Sequence, residues 1–178
     1  MRAVREALTT PFGALTVVAV GDTVLGSGFG DPAVLAQRLE GLAIEDGRIS
    51  PTISAAVPAY LAGDLAALDA IDVRQAGGPF GQAAWRVMRS IPPGQTWSYA
   101  RLAAEAGQPQ AARAAGSACA RNLVAPFVPC HRVVRSDGSL GGYAYGLHIK
   151  RALLAHESGA RWQEMELHPV PPQTGRAG

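Results

Sequence analysis

The hydrophobic pattern of the first part of the chain predicts short strands followed by helices. Two β-prone runs, ALTVVAV and VLGSGF, flank Gly21-Asp22-Thr23, a combination typical of a hairpin. The next segment opens after Asp31, a residue type that caps helix N-termini well, and apolar residues then recur at spacings of three and four. We find no catalytic cluster in this α+β region. Its predicted elements are strands over residues 14–20 and 24–29 and helices over residues 32–42 and 53–68.

The second part of the chain is rich in helical patterns. Pro92-Pro93-Gly94 ends a first amphipathic run, and Ser98 is a suitable cap for the helix that follows. That helix, a turn at Gly107-Gln108-Pro109 and a helix of small residues together have the shape of a helix-turn-helix. The other predicted elements are helices over residues 80–91, 110–120 and 147–157 and an extended segment over residues 126–134.

A change in composition divides the chain. Residues 71–78 end in Gly77-Gly78 and predict a loop or domain junction. The final HPVPPQTGRAG has no apolar periodicity, which predicts a flexible tail. We therefore expect an N-terminal α/β domain over residues 1–75, a second domain over residues 76–160 and a tail over residues 161–178.

Length and composition exclude several classes of protein. The 178 residues are 48% hydrophobic and 17% charged, so a packed core is attainable and wholesale disorder is excluded. No apolar run reaches the roughly 18 residues of a membrane span, and the start of the chain has no apolar segment typical of a secretory signal. Two cysteines do not make a disulfide framework for a chain of this size. We expect a cytoplasmic protein.

The distribution of charge indicates a polyanionic partner. The net charge is only +2, but residues 1–80 carry five basic and nine acidic groups, whereas residues 81–160 carry nine basic and three acidic groups. An asymmetry of this kind is typical of a chain whose basic part meets a polyanion. Chance clustering in a short chain is the alternative.

Candidate chemistry concentrates at Cys130-His131. A thiolate is the nucleophilic form of cysteine, a neighbouring base removes its proton, and a carboxylate such as Glu157 can orient that base. Adjacent side chains of an extended strand point to opposite faces, so Cys130 and His131 cannot easily touch directly, although a bound water could bridge them. A lone Cys-His pair is more often buried and inert, and Cys119 is assigned a packing role.

The surrounding sequence resembles one family. The run IPPGQTWSYARLAAEAGQPQAARAAGSACARN, then PCHRVVRSDGSLGGYAYG, then KRALLAHE is similar to the C-terminal domain of O6-alkylguanine-DNA alkyltransferases, also called methylated-DNA–protein-cysteine methyltransferases. The match is strong over residues 79–158 and weak over residues 1–75. The resemblance implies an RNase H-like N-terminal α/β domain and a mostly helical C-terminal domain with a helix-turn-helix. It also implies stoichiometric transfer of an alkyl group, mainly methyl, from guanine O6 to a cysteine.

The resemblance assigns five catalytic roles. Cys130 is the nucleophile and alkyl acceptor, His131 is its base acting through a water, and Glu157 orients the imidazole. Asn122 ties together the turns around the nucleophile, and Tyr99 donates a proton to the leaving guanine. One departure concerns the residue after the asparagine, where the family usually has proline and this chain has Leu123, so a less rigid turn is expected. The thioether product has no easy reverse step, which implies one turnover per molecule.

The resemblance also implies how damaged DNA is bound. The base must leave the duplex stack, and Arg113 corresponds to the finger that fills its place, on a helix that the family lays in the minor groove. The other residues assigned to DNA are Ala112, Ala114, Gly116, Tyr99 and Arg132. Further phosphate contacts, or ordinary solvated charges, are Arg121, Arg135 and Lys150. The residues assigned to the substrate pocket are Gly142, Tyr143, Ala144, Tyr145 and Val133.

Several expectations separate this reading from its rivals. The bulk of Tyr145, where some members have glycine, predicts a pocket that favours methyl over benzyl adducts. We expect neither a cofactor nor a metal. The expected partner is double-stranded DNA that carries O6-alkylguanine, and we expect a monomer to bind it. Whether binding along DNA is cooperative is left open. A non-catalytic lesion binder is the main alternative, and it is disfavoured because Cys130 is present. A helix-turn-helix regulator is disfavoured by the alanine-rich second helix, and a cysteine hydrolase by the lack of an oxyanion partner.

Overall fold

The computed structural model describes residues 2–159, so the tail predicted over residues 161–178 lies outside the described residues. Among the described residues, the fold is mixed α+β, with six α-helices. The strands are β1 (Arg2–Thr10), β2 (Gly13–Val20), β3 (Thr23–Gly28), β4 (Ala43–Asp46), β5 (Asp72–Val73), β6 (Trp97–Ser98) and β7 (Val133–Val134). The helices are α1 (Pro32–Arg38), α2 (Pro51–Leu61), α3 (Pro79–Ser90), α4 (Tyr99–Glu105), α5 (Ala112–Arg121) and α6 (Leu147–Glu157), with 3-10 turns at Leu68–Ala70 and Cys130–Arg132.

The N-terminal sheet is built around the predicted hairpin. Its five strands lie in the order β4-β1-β2-β3-β5, with β1, β2 and β3 antiparallel, β4 parallel to β1 and β5 parallel to β3. The sequence did not reveal β1, because of its nine residues only Ala3 is buried and the apolar alternation that marks a strand is absent. The short strands β4 and β5 were missed for the same reason.

Two helices of the N-terminal part are shorter than predicted. The helix expected over residues 32–42 is capped by Asp31, as predicted, but ends at Arg38. The helix expected over residues 53–68 ends at Leu61, because Gly63 takes a φ of +111° that terminates the helical path. The apolar spacing continued past this point because Leu68 is still buried, on a 3-10 turn.

The helices of the second part follow the prediction closely. Ser98 caps α4 by accepting a hydrogen bond from the Arg101 backbone N–H at 3.0 Å. α5 packs its small residues inward, and the Trp85 indole of α3 donates to the Ala118 carbonyl at 3.0 Å. The segment predicted as extended over residues 126–134 is different, because a 3-10 turn over Cys130–Arg132 interrupts it before β7.

One buried cluster includes residues from both parts of the chain. Tyr60 of α2 and Leu153 of α6 are fully enclosed in it, so the sheet-containing part and the helical part share apolar contacts. The division into domains at residue 75 stays a prediction. Within residues 2–159, none of the helices has the length and apolar character required to cross a membrane.

Candidate active site

Cys130 lies at the start of the 3-10 turn that precedes β7. Its backbone N–H donates to the Val128 carbonyl at 2.9 Å, and the residue is 7% exposed. The side chain is not sealed in the core, because it lines a cavity of about 220 Å³. The other residues that line this cavity are Tyr99, Gly116, Cys119, Ala120, Asn122, Ala125, Gly142, Tyr143, Ala144 and Tyr145.

The surroundings of Cys130 act on its thiol in opposite directions. Burial raises the pKa of the thiol, while the Asn122 amide and the Lys150 ammonium lower it. Cys119 lines the same cavity, and the pKa of its thiol is also raised. Burial is the larger cause and the nearby Cys130 is the next. Cys130 therefore needs a base to ionise at neutral pH, and it has two groups beside it that stabilise the thiolate once it forms.

His131 is fully buried and hydrogen-bonded through one ring nitrogen. Its Nε2 lies 2.8 Å from the Glu157 Oε1 atom, whereas its Nδ1 has no hydrogen-bond partner among the described residues. An ionised carboxylate only accepts, so this contact assigns the proton to Nε2 and leaves the Nδ1 lone pair free. A buried imidazole in this tautomer is ready to accept a proton at Nδ1.

Glu157, at the end of α6, is the centre of a buried charge network. Besides His131, it accepts two hydrogen bonds at 2.9 Å from the Arg132 guanidinium and one at 2.9 Å from the Tyr60 hydroxyl. Burial by itself would raise the pKa of this carboxyl, but His131 and Arg132 hold it well below its ordinary value. Glu157 is thus a carboxylate fixed on both oxygens.

Arg132 and Lys150 are not surface charges, which corrects their assignment as DNA or phosphate contacts. Arg132 is 1% exposed, and it donates to Glu157 and, at 2.8 Å, to the Ile91 carbonyl. Lys150 is equally buried and donates to the carbonyls of Val133, Leu140 and Gly142. A buried charge needs such partners, so both cations stabilise the folded chain internally.

Val133 also differs from its predicted position. It was assigned to the substrate pocket, but its side chain is fully buried and it does not line the cavity. The reason is that the 3-10 turn directs the chain into β7, where Val133 pairs with Trp97 of β6. Gly142, Tyr143, Ala144 and Tyr145, assigned to the same pocket, do line the cavity together with Cys130.

Asn122 ends α5 and joins the turns on one side of Cys130. Its Nδ2 donates to the Val128 carbonyl at 2.8 Å, and its Oδ1 accepts from the Val124 N–H at 3.1 Å. The same Oδ1 accepts from the Gln75 side chain at 3.0 Å. The next residue, Leu123, is held as well, since its N–H donates to Gln75 Oε1 at 2.8 Å.

The tyrosines of the cavity differ in their hydrogen bonding. The hydroxyl of Tyr143 is buried and unpartnered among the described residues, and Tyr145 donates to the Ser27 carbonyl at 3.4 Å. The Tyr145 ring packs edge-on against Phe29, with the ring centroids 6.0 Å apart. Burial raises the pKa of Tyr99, so its phenol stays protonated at neutral pH. The cavity therefore offers hydroxyl donors beside the thiol.

A second, open depression adjoins the cavity. Arg113 and Ala112 line it at the start of α5, and Tyr99 and Gly116 line both the depression and the cavity of Cys130. The side chain of Arg113 is exposed. The predicted finger, the predicted proton donor and the predicted nucleophile are thus brought to one region of the surface, with Ala114 half-buried on the same helix.

Sequence reasoning missed three contributors from the first 75 residues. They are Tyr60, which donates to Glu157, Gln75, which holds Asn122 and Leu123, and Ser27, whose hydroxyl donates to the Ala125 carbonyl at 2.8 Å. Tyr60 falls in a helical apolar run, where it looks like a core residue, and no motif surrounds the other two. Within residues 2–159 no group of three or more His, Cys, Asp or Glu side chains is placed to hold a metal ion.

Comparison with known proteins agrees with this geometry. A family model described as 6-O-methylguanine DNA methyltransferase, DNA binding domain, matches residues 79–159. The methylated-DNA–protein-cysteine methyltransferase of Salmonella typhimurium is 46% identical over 98 residues, which span 55% of this chain and only 57% of that protein. The protein of the same name from Mycobacterium leprae is 36% identical over 165 residues, 93% of each chain.

Solved structures extend the similarity to the fold. The crystal structure of Mycobacterium tuberculosis OGT in complex with DNA has a TM-score of 0.76 at 31% identity, covering 88% of this chain and 93% of that one. The site thus combines a cavity-lining cysteine, followed in the chain by a histidine bonded to Glu157, with a neighbouring helix that carries an exposed arginine. The chain belongs to the methylated-DNA–protein-cysteine methyltransferase family.

Proposed function

We propose that this protein repairs alkylated DNA directly, by moving the alkyl group of O6-alkylguanine in duplex DNA to Cys130. The observation that carries the proposal is that Cys130 lines the cavity and is followed in the chain by His131, whose Nδ1 has no hydrogen-bond partner among the described residues. A cysteine that served only for packing would need neither the cavity nor the Glu157-oriented imidazole behind it.

The proposed reaction is an in-line displacement at the alkyl carbon. His131 takes the thiol proton at Nδ1 through a bridging water, and Glu157 and Arg132 keep the imidazole in the required tautomer. The Cys130 sulfur forms a bond to the alkyl carbon as the bond from that carbon to O6 breaks, and the electron pair of that bond goes to guanine. Tyr99, which lines the cavity together with Cys130, donates the proton that the leaving guanine gains.

No group in the cavity is suited to removing an alkyl group from sulfur, so we propose that each molecule reacts once. The product is an S-alkylcysteine, whose thioether is a poor electrophile. The protein acts without cofactor or metal, as a methylated-DNA–protein-cysteine S-methyltransferase of single turnover.

The surface beside the cavity supports binding of duplex DNA with an extruded base. The small residues at the start of α5 allow close approach of the backbone, and Arg113 is exposed at the edge of the depression that leads to Tyr99. We infer that α4, its turn and α5 act as a helix-turn-helix in the minor groove, with Arg113 in place of the flipped nucleotide. A monomer is sufficient, since every proposed site residue comes from one chain.

The remaining finer proposals concern fold and compartment. The order β3-β2-β1-β4, with β4 parallel to β1, supports an RNase H-like N-terminal domain over residues 1–75, followed by the alkyltransferase domain. Both cysteines of the described residues are free thiols. Since the mechanism needs a reduced Cys130, we propose the reducing cytoplasm as its compartment.

The test is mass spectrometry of the protein after incubation with duplex DNA that carries O6-methylguanine. We expect the Cys130 peptide to gain the mass of one CH₂ group, the Cys119 peptide to stay unchanged, and Cys130→Ser to abolish the gain. Intact binding without any mass gain would overturn the proposal in favour of a lesion-binding protein. Arg113→Ala should slow transfer from duplex DNA by on the order of 10–100-fold, and leave transfer from the free base unchanged, because only the duplex needs base extrusion.

A further inference from the structure

Gln75 lies in the segment between β5 and α3, outside every motif of the family, and yet it touches the catalytic region twice. Its Nε2 donates to Asn122 Oδ1 at 3.0 Å, and its Oε1 accepts from the Leu123 N–H at 2.8 Å. The side chain thus binds two successive residues with both ends of its amide. We propose that Gln75 is a positioning residue that fixes the orientation of the Asn122 amide, and through it the environment of the Cys130 sulfur.

The contacts of Asn122 explain how the effect reaches the sulfur. Two donors, Gln75 Nε2 and the Val124 N–H, occupy Oδ1, so the opposite end of the amide must be the NH₂ group. That group donates to the Val128 carbonyl, and Asn122 and Cys130 line the same cavity. Without Gln75 the amide loses one of the three groups that distinguish its oxygen from its nitrogen.

The orientation of this amide has an electrostatic consequence. The Asn122 NH₂ favours the thiolate form of Cys130, whereas a carbonyl oxygen turned to the same place would disfavour it. Hydrogen bonds in a chain also polarise one another, so donation by Gln75 to Oδ1 strengthens Asn122 as a donor. Gln75 therefore stabilises the nucleophilic form of the cysteine without touching it.

The second contact of Gln75 concerns the departure of this chain from its family. The family usually has proline after the asparagine, and proline has no N–H. Leu123 provides an N–H, and Gln75 Oε1 satisfies it, while the Leu123 carbonyl accepts from the Ser27 N–H at 2.7 Å. The turn expected to be less rigid is thus held on both sides by side-chain and backbone groups of the N-terminal part.

This role for Gln75 rests on the proposed function only because that function identifies the substrate of Cys130. Its test therefore measures the reactivity of Cys130 toward a simple alkylating reagent as well as methyl transfer from DNA. The rate of alkylation of Cys130 by iodoacetamide is measured against pH, with the modified peptide identified by mass spectrometry, in Gln75→Ala, Gln75→Glu and Gln82→Ala. Gln82 is the matched control, because it donates to the backbone carbonyl of Gln75 at 2.8 Å and has no contact with Asn122 among the described residues.

We expect Gln75→Ala to move the pH profile of Cys130 alkylation upward by about one unit and to slow methyl transfer about five- to tenfold at pH 7. Gln75→Glu should move the profile at least as far, because a carboxylate keeps the acceptor for Leu123 and loses the donor for Asn122. The alkylation profile of Gln82→Ala should superimpose on that of the unmodified protein. Melting temperatures of all variants identify any loss of folding.

A double-mutant cycle with Asn122→Ala separates positioning from general support of the fold. If Gln75 acts through Asn122, its replacement has no further effect on the alkylation profile in the Asn122→Ala background. An unshifted profile in Gln75→Ala, a Gln75→Glu profile like that of the unmodified protein, or an undiminished shift in the Asn122→Ala background would each overturn the inference. A shifted profile together with no methyl transfer from DNA by the unmodified protein would instead refute the proposed function and leave the role of Gln75 intact.

Discussion

The two parts of the chain contribute to the site in contrasting ways. The second part carries Cys130, His131 and Glu157 in contiguous, recognisable motifs, together with the exposed Arg113. The first part has no such motif, and its side chains reach the site singly, as Tyr60 reaches Glu157 and Gln75 reaches Asn122. The candidate reacting groups therefore lie in short sequence motifs, whereas the side chains that hold them in place come from separate elements of the fold.

Replacement of Glu157 should have the largest effect, since this carboxylate joins Tyr60 of the first part to His131 and Arg132 of the second. Glu157→Gln leaves the buried Arg132 with only the more distant Asp69 carboxylate, at 3.8 Å, and His131 without its carboxylate. We expect methyl transfer to fall by on the order of 10²–10⁴-fold and the free energy of unfolding at pH 7 to fall by about 3–5 kcal/mol. Single-turnover kinetics and urea unfolding measure the two quantities. A loss of stability with full transfer activity would contradict the proposed role.

The same variant predicts a pH dependence. In the folded protein the pKa of Glu157 lies below its ordinary value of 4.5, so the unfolded chain binds its proton first as the pH falls. Its stabilising contribution is therefore complete above that ordinary value and is lost as the pH falls toward the folded-state pKa. The difference in unfolding free energy between the unmodified protein and Glu157→Gln should shrink below about pH 4.5. A difference that grows on acidification would be inconsistent with a depressed pKa.

Tyr145, a residue of the second part that packs against Ser27 and Phe29 of the first, tests how this contact shapes the proposed substrate pocket. Its ring lies between the cavity and the end of β3, where a Cβ on Gly28 would come within 2.1 Å of the Tyr145 hydroxyl oxygen. Tyr145→Ala opens the cavity, and we expect the rate with O6-benzylguanine relative to O6-methylguanine to rise about tenfold. Competition between the two substrates measures the ratio directly. Equal rates for both substrates in the unmodified protein would contradict the narrow pocket.

Tyr60 tests the reach of the first part into the charge network. Tyr60→Phe keeps the ring and removes only the hydroxyl that donates to Glu157 at 2.9 Å. Hydrogen bonds to charged groups contribute about 1.5–3 kcal/mol. Because the carboxylate keeps its other donors, we expect the unfolding free energy to fall by only about 1–2 kcal/mol. Methyl transfer should slow by about fivefold. Transfer rates are measured against pH. A change in the environment of His131 alters the shape of the pH profile, whereas a general loss of stability leaves that shape unchanged.

The smallest effect is expected at the far edge of the sheet. Arg2 pairs with Glu45 at 2.9 Å, but the two side chains are 78% and 58% exposed. Arg2→Ala should change the unfolding free energy by less than about 0.5 kcal/mol, and transfer should not change, because an exposed pair is screened by solvent. A large loss of activity here would extend the contribution of the first part well beyond Tyr60 and Gln75.

Much of the local structure was predictable from the sequence. The hairpin of β2 and β3, the cap at Asp31 and the bounds of α6 follow from alternation, turn residues and helical spacing, which depend on neighbours along the chain. Strand β1 escaped prediction because its partners β2 and β4 determine its conformation, and its own residues are mostly exposed.

The candidate site shows the same division between features that neighbours along the chain determine and features that distant partners determine. The sequence by itself was enough to predict the candidate reacting groups, because a thiol, an imidazole and a carboxylate carry their chemistry in their identity and order. Only the tertiary structure decided that Arg132 and Lys150 point inward, and that Tyr60 and Gln75 bind residues 97 and 47 positions further along the chain. The physical reason is that burial and long-range hydrogen bonds depend on how distant segments pack together, and no local pattern of residues records that packing.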